Sequence, residues 1–105
     1  MIWPYAPPDA RRGGSRKTLR ADVAIVNRRG LHARAAAKFV KVAEQFVADI
    51  EVAKDDMVVP GTSIMGLMVL AAATGSQLVI RARGREAEAA LAALVALVER
   101  GFDED

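Results

Sequence analysis

The chain has 105 residues, 52% hydrophobic and 27% charged, with a formal net charge of +2. That suits one globular domain with an aliphatic core, and it excludes the disordered class. With no cysteine and a single histidine, disulfides, thiolate metal sites and His-rich metal sites are excluded, and a reducing compartment is expected.

Residues 1–18 read as a flexible basic tail. Pro4, Pro7 and Pro8 block regular structure, Gly13 and Gly14 loosen the chain, and "RRGGSRKTLR" is strongly basic. Arg11 and Arg12 form a twin-arginine pair, but no apolar run follows, so an export signal is not expected. No apolar stretch suits a membrane span. The expectation is a cytoplasmic monomer with no membrane partner.

The folded domain is expected over residues 19–102, ahead of an acidic end at 103–105. "LRADVAIVN" alternates and is β-branched, which predicts a strand from Leu19 to Val26. After a loop, Ala36, Phe39, Val40, Ala43 and Phe46 recur at helical spacing, predicting a helix over 33–46. "ADIEVAK" alternates Ile50 and Val52 against Asp49, Glu51 and Lys54, which predicts a second strand. "KDDM" turns the chain into a short third strand, Met57 to Pro60. "GTSIMGLMVLAAATG" reads as a short helix capped by Ser63 or Thr62 and stopped at Gly75. "SQLVIRAR" is a fourth strand, with Leu78 and Ile80 opposite in facing to Val79 and Arg81. The last helix buries Ala87, Ala90, Leu91, Leu94, Leu97 and Val98, and Gly101 ends it. The order βαββαβα predicts an α+β fold, an antiparallel sheet with helices on one face.

The stretch "NRRGLHARAAAKFV" holds the lone histidine, His32, at a helix start flanked by Arg28, Arg29 and Arg34. Positive side chains are unfavourable there, because the helix dipole already places partial positive charge at that end. An arriving anion resolves the conflict. The first amides, from about Ala33 and Arg34, have no helical acceptor, and the Arg34 guanidinium can grip an oxyanion in a fork. A nucleophilic imidazole inside an anion site is a phosphoryl acceptor. No Asp or Glu lies near His32 in sequence, although one could fold into place. No glycine-rich nucleotide loop is present, so the chain can pass a phosphoryl group but not take one from a nucleotide. No cofactor and no metal are expected.

The second informative stretch is Ile64 to Ala73, a helix with almost no polar face. A small single-core domain does not easily bury such a helix all round, so part of it is expected to be exposed for a partner. Met65 and Met68 suit an adaptable docking surface, although methionines also fill core gaps.

Together "GLHAR" and "SIMGL", at this spacing in a βαββαβα chain, resemble the family of histidine-containing phosphocarrier proteins, HPr, of the phosphoenolpyruvate-dependent phosphotransferase system. The resemblance covers about residues 19–100. It implies an open-faced β-sandwich with three helices on one side. It also implies that His32 accepts phosphate on Nδ1 from phospho-Enzyme I, with Arg34 as the active-site arginine, and donates it to a IIA-type domain. Ser63 matches the serine modified by an HPr kinase/phosphorylase, and Ile64, Met65 and Met68 match the apolar docking patch. Two features depart from the family: Thr62 stands where many serine-regulated members have lysine, and the basic tail has no counterpart. The second motif leans toward the nitrogen-type, regulatory branch.

The competing reading is a small nucleic-acid-binding module using Arg11, Arg12, Arg16 and Lys17. It lacks the aromatic cluster on the sheet that such a module stacks bases on, so nucleic acid is not an expected partner.

Overall fold

The computed structural model describes residues 17–104, so the expected tail, except for Lys17 and Thr18, lies outside the described residues, as does Asp105. In chain order the described residues form β1 (Leu19–Ala24), α1 (Ala33–Ala43), β2 (Asp49–Lys54), β3 (Met57–Pro60), α2 (Ile64–Val69), β4 (Gln77–Arg83), α3 (Ala87–Glu99) and a 3-10 turn (Gly101–Asp103). Their four strands make one antiparallel sheet in the order β1-β4-β2-β3. Val23, Ile50, Val52, Leu78 and Ile80 face the helices and join Phe39, Leu67, Leu94 and Phe102 in one core. This is the expected α+β, open-faced βαββαβα sandwich.

Several boundaries differ from the periodicity, each for a local reason. Strand β1 ends at Ala24 rather than Val26, because Val26 turns outward into the loop and is exposed. Helix α1 stops at Ala43, where the Gln45 and Phe46 amides switch to carbonyls three residues back and tighten the chain out of the helix. Phe46 therefore lies past the helix and packs only partly against the core. Helix α2 ends at Val69, well before Gly75. Ala71 adopts a left-handed backbone with φ of 52° and turns the chain so that Leu70 and Ala72 enter the core. On α3, Leu91 is half-buried rather than part of the buried stripe. Glu51, one of the charges that alternate with Ile50 and Val52, is fully buried on the sheet face away from the helices.

The loop from Ile25 to Leu31 carries the chain to α1. Gly30 has φ of 67°, and a Cβ there would lie 2.4 Å from the Ala72 carbonyl oxygen. Only glycine makes that approach without strain. It lets the Leu31 amide donate to the same carbonyl at 2.9 Å, fixing the residue before His32.

Candidate functional site

His32 is the N-cap residue of α1. Its backbone is extended, its carbonyl accepts the first helical bond from Ala36, and its side chain makes no capping bond. The first-turn amides thus lack the side-chain acceptor that a serine or aspartate cap would supply. No acidic residue stands in that turn. Ala33 and Arg34 are exposed beside the ring.

A carboxylate reaches the ring from the far end of the sequence. Glu104 Oε2 lies 2.5 Å from His32 Nε2, and Glu104 Oε1 accepts from Asn27 Nδ2 at 3.0 Å. An ionised carboxylate only accepts, so Nε2 carries the proton and donates it. In the neutral ring the lone pair then sits on Nδ1. The same Asn27 Nδ2 donates to the Gly30 carbonyl at 2.9 Å, and the Thr74 hydroxyl donates to the Asn27 carbonyl at 2.5 Å. One buried asparagine so links the histidine loop, the loop after α2 and the C-terminal carboxylate.

The turn that delivers Glu104 is held under strain. Gly101, Phe102 and Asp103 all have positive φ, and two of them are not glycine. Phe102 anchors the turn by burying its ring completely. Lys38 Nζ on α1 donates to the Phe102 carbonyl at 2.8 Å, and Arg100 bonds Asp103 at 2.7 Å.

Beside this network lies a cleft of about 380 Å³ lined by Arg28, Arg29, Arg34, Lys38, Asp103 and Glu104. Four cations against two carboxylates make it an anion site. Burial pushes the Glu104 carboxyl up, but the bonds from Asn27 and His32, with the positive charge of Arg34, outweigh it and hold the group below the ordinary carboxylate range. Among the described residues no cluster of three or more His, Cys, Asp or Glu is placed to hold a metal ion.

A basic cleft, an uncapped helix start and an oriented imidazole lie side by side. The sequence pattern of the family described as "PTS HPr component phosphorylation site" matches residues 19–100. The chain belongs to this family. Phosphocarrier protein HPr of Neisseria meningitidis is 43% identical over 82% of this chain and 97% of its own length. Phosphocarrier protein NPr of Escherichia coli is 37% identical over 84% of this chain and 99% of its own. The crystal structure of HPr from Thermoanaerobacter tengcongensis superposes with a TM-score of 0.79 at 41% identity, covering 83% of this chain and 98% of that one. The HPr assignment makes this protein a phosphocarrier that works with partners of the phosphotransferase system. Among the described residues no helix is long and apolar enough to cross a membrane.

His32, Ala33 and Arg34 stand at the start of α1, His32 as its N-cap residue. Ser63 is the N-cap of α2, and its Oγ accepts from the Gly66 amide at 2.9 Å. Met65 is 73% exposed, and Ile64, Met68 and Val69 are exposed with it, while Leu67 alone of the helix is buried. Sequence reasoning missed Val69, Asn27, Lys38 and Glu104. Asn27 stood inside the first motif, and the run Asp103 to Asp105 was the available signal for a distant carboxylate.

Proposed function

We propose that His32 is the phosphoryl acceptor, that it takes the group on Nδ1 from phospho-Enzyme I, and that it passes the group to a IIA-type domain. The observation that carries this reading is the engagement of Nε2 by Glu104, which leaves Nδ1 as the nucleophilic nitrogen. In transfer, the Nδ1 lone pair forms the N–P bond while the donor's bond to phosphorus breaks and its electron pair leaves with the donor. The ring then carries positive charge, which the Glu104 carboxylate stabilises through Nε2–H. Arg34 and the amides of Ala33 and Arg34 hold the phosphoryl oxygens. Arg28, Arg29 and Lys38 add positive charge to the approach.

The exposed apolar side chains Ile64, Met65 and Met68 form the docking patch for these cytoplasmic partners. Ser63, at the edge of that patch, is the regulatory serine, and an HPr kinase/phosphorylase is its modifying partner. A phosphate there meets the start of α2, which tolerates negative charge, but it puts a dianion beside apolar surface that a partner must bury.

The deciding experiment supplies phosphoenolpyruvate and purified Enzyme I and measures acid-labile phosphate on the full chain and on His32→Ala. Incorporation that depends on His32 supports the reading. Equal incorporation in the variant overturns it.

A further inference from the structure

Glu104 carries its carboxylate on a side chain with several rotatable bonds, and hydrogen bonds settle where it points. Oε2 accepts from His32 Nε2, and Oε1 accepts from Asn27 Nδ2 at 3.0 Å. The bonds of the strained turn before it stop short of the carboxylate. Lys38 reaches the Phe102 carbonyl, Arg100 reaches Asp103, and the Glu104 amide donates to the Gly101 carbonyl at 3.0 Å. A carboxylate held only by the ring pivots about that one bond. A second bond, on the other oxygen, fixes its plane.

Asn27 is built to make that second bond. It is 2% exposed, so packing confines its side chain. Both of its amide protons are used, one on Glu104 and one on the Gly30 carbonyl at 2.9 Å, in the loop that leads to His32. The opposite amide orientation sets Oδ1 against that carbonyl and the carboxylate, which are both acceptors. Oδ1 as it stands is buried and has no hydrogen-bond partner among the described residues. An unsatisfied buried acceptor is unfavourable, and a fold that keeps one is meeting another requirement there. At Asn27 the requirement is a pair of donors at one point, reaching the carboxylate and the histidine loop together. The main chain is held separately, by the Thr74 hydroxyl at 2.5 Å. Burial pushes the Glu104 carboxyl up, and the Asn27 bond is the largest of the causes that bring it down.

We propose that Asn27 is a positioning residue for phosphoryl transfer: it clamps Glu104 on His32 Nε2, which keeps the ring proton on that nitrogen and the lone pair on Nδ1. This rests on the reading of His32 as the acceptor and deepens it. Asn27 acts through Glu104, as a group behind the reactive one that fixes its orientation.

The test uses the full chain and two variants. Asn27→Asp keeps the side-chain shape and removes both donors, and Asn27→Ala removes them without adding a charge. Nitrogen-edited NMR of the His32 ring, recorded without Enzyme I, reads the proton on Nε2. A protected N–H signal in the unaltered chain that is lost in both variants supports the proposal. Its absence from the unaltered chain overturns it whether or not the variants fold, as does its survival in either folded variant. With phosphoenolpyruvate and Enzyme I, Asn27→Ala should lower kcat roughly tenfold, the scale of losing a group that orients a reactive one. KM for the chain as substrate should change by less than about twofold, since no docking contact is lost. An unchanged kcat overturns the proposal. On a Glu104→Ala background, Asn27→Ala should slow transfer by no more than about twofold further, because the group it acts through is gone. A further loss of roughly tenfold there shows that Asn27 acts by another route and overturns it. Phosphate uptake by His32→Ala is a different failure: it sinks the acceptor reading, while the ring signal still decides whether Asn27 holds Glu104 on the imidazole.

Discussion

The starts of α1 and α2 are built in opposite ways. At α2, Ser63 Oγ accepts from the Gly66 amide and satisfies part of the helix end from within. At α1, His32 occupies the cap position and makes no capping bond, while Arg34 and Lys38 crowd the cleft beside it. A helix end closed by its own side chain is finished structure. An end left open, with cations gathered at it, leaves its first amides available to an acceptor from outside. The contrast separates a capping hydroxyl from an imidazole that caps nothing more sharply than either motif alone.

The strongest challenge to the contrast is His32→Ala. His32 makes no capping bond but does hold Glu104, so its loss should cost about 1.5 kcal/mol, the scale of a hydrogen bond to a charged group, and leave the domain folded. Phosphate uptake should vanish. A melting curve and an acid-labile phosphate assay read both, and an unfolded variant would show that His32 is structural.

Next in size is Arg34→Ala. If its guanidinium holds the phosphoryl group more tightly in the transition state than at rest, transfer in both directions should slow by roughly tenfold or more, equivalent to about 1.4 kcal/mol. Rapid-quench rates with Enzyme I and with a IIA-type acceptor measure it. An unchanged rate leaves Arg34 a solvated residue.

Ser63 inverts the pattern. Ser63→Ala removes a real cap and should cost about 1 kcal/mol of stability while His32 still takes up phosphate. Ser63→Asp keeps an acceptor at the cap, so melting should barely change, but the charge beside Met65 and Met68 should raise the apparent KM for Enzyme I. If Ser63→Asp alters neither melting nor rate, the exposed face of α2 is not the docking surface.

The smallest effect is a titration. Glu104 is held below the ordinary carboxylate range. A carboxyl depressed in the fold stabilises it above its ordinary value and loses that contribution as pH falls through the folded value. The Glu104–His32 contact should therefore persist through neutral pH and release only in acid below the usual carboxylate range. The Asn27 side-chain amide signal, followed by NMR, reports the release. A midpoint at or above the ordinary value would count against the bond.

The strands and the reactive loop were legible because their signals are local. Alternation fixes β2 and β4, and the Gly-Leu-His-Ala-Arg run places an imidazole at a helix start by itself. Helix ends were less legible. Nothing in "LAAATG" announces that Ala71 takes the left-handed turn that ends α2, since alanine has no preference for it. Glu104 and the buried Glu51 were illegible for another reason. Both depend on contacts between segments far apart in sequence, and an acidic run near the end reads as solvated charge until Phe102 buries and swings it onto His32.

Three of the ties that hold the histidine loop are long-range in sequence. Asn27 is bonded by Thr74, 47 residues away, and His32 by Glu104, 72 residues away. Leu31 hangs on Ala72. A chain that has formed only α1 and its neighbours thus holds a histidine without its carboxylate, its loop anchor or its cleft. On the proposed reading of His32, chemical competence and cooperative folding become a single event. A chain without those contacts lacks the oriented imidazole that the proposed transfer uses, so transfer activity would report how much of the population is completely folded.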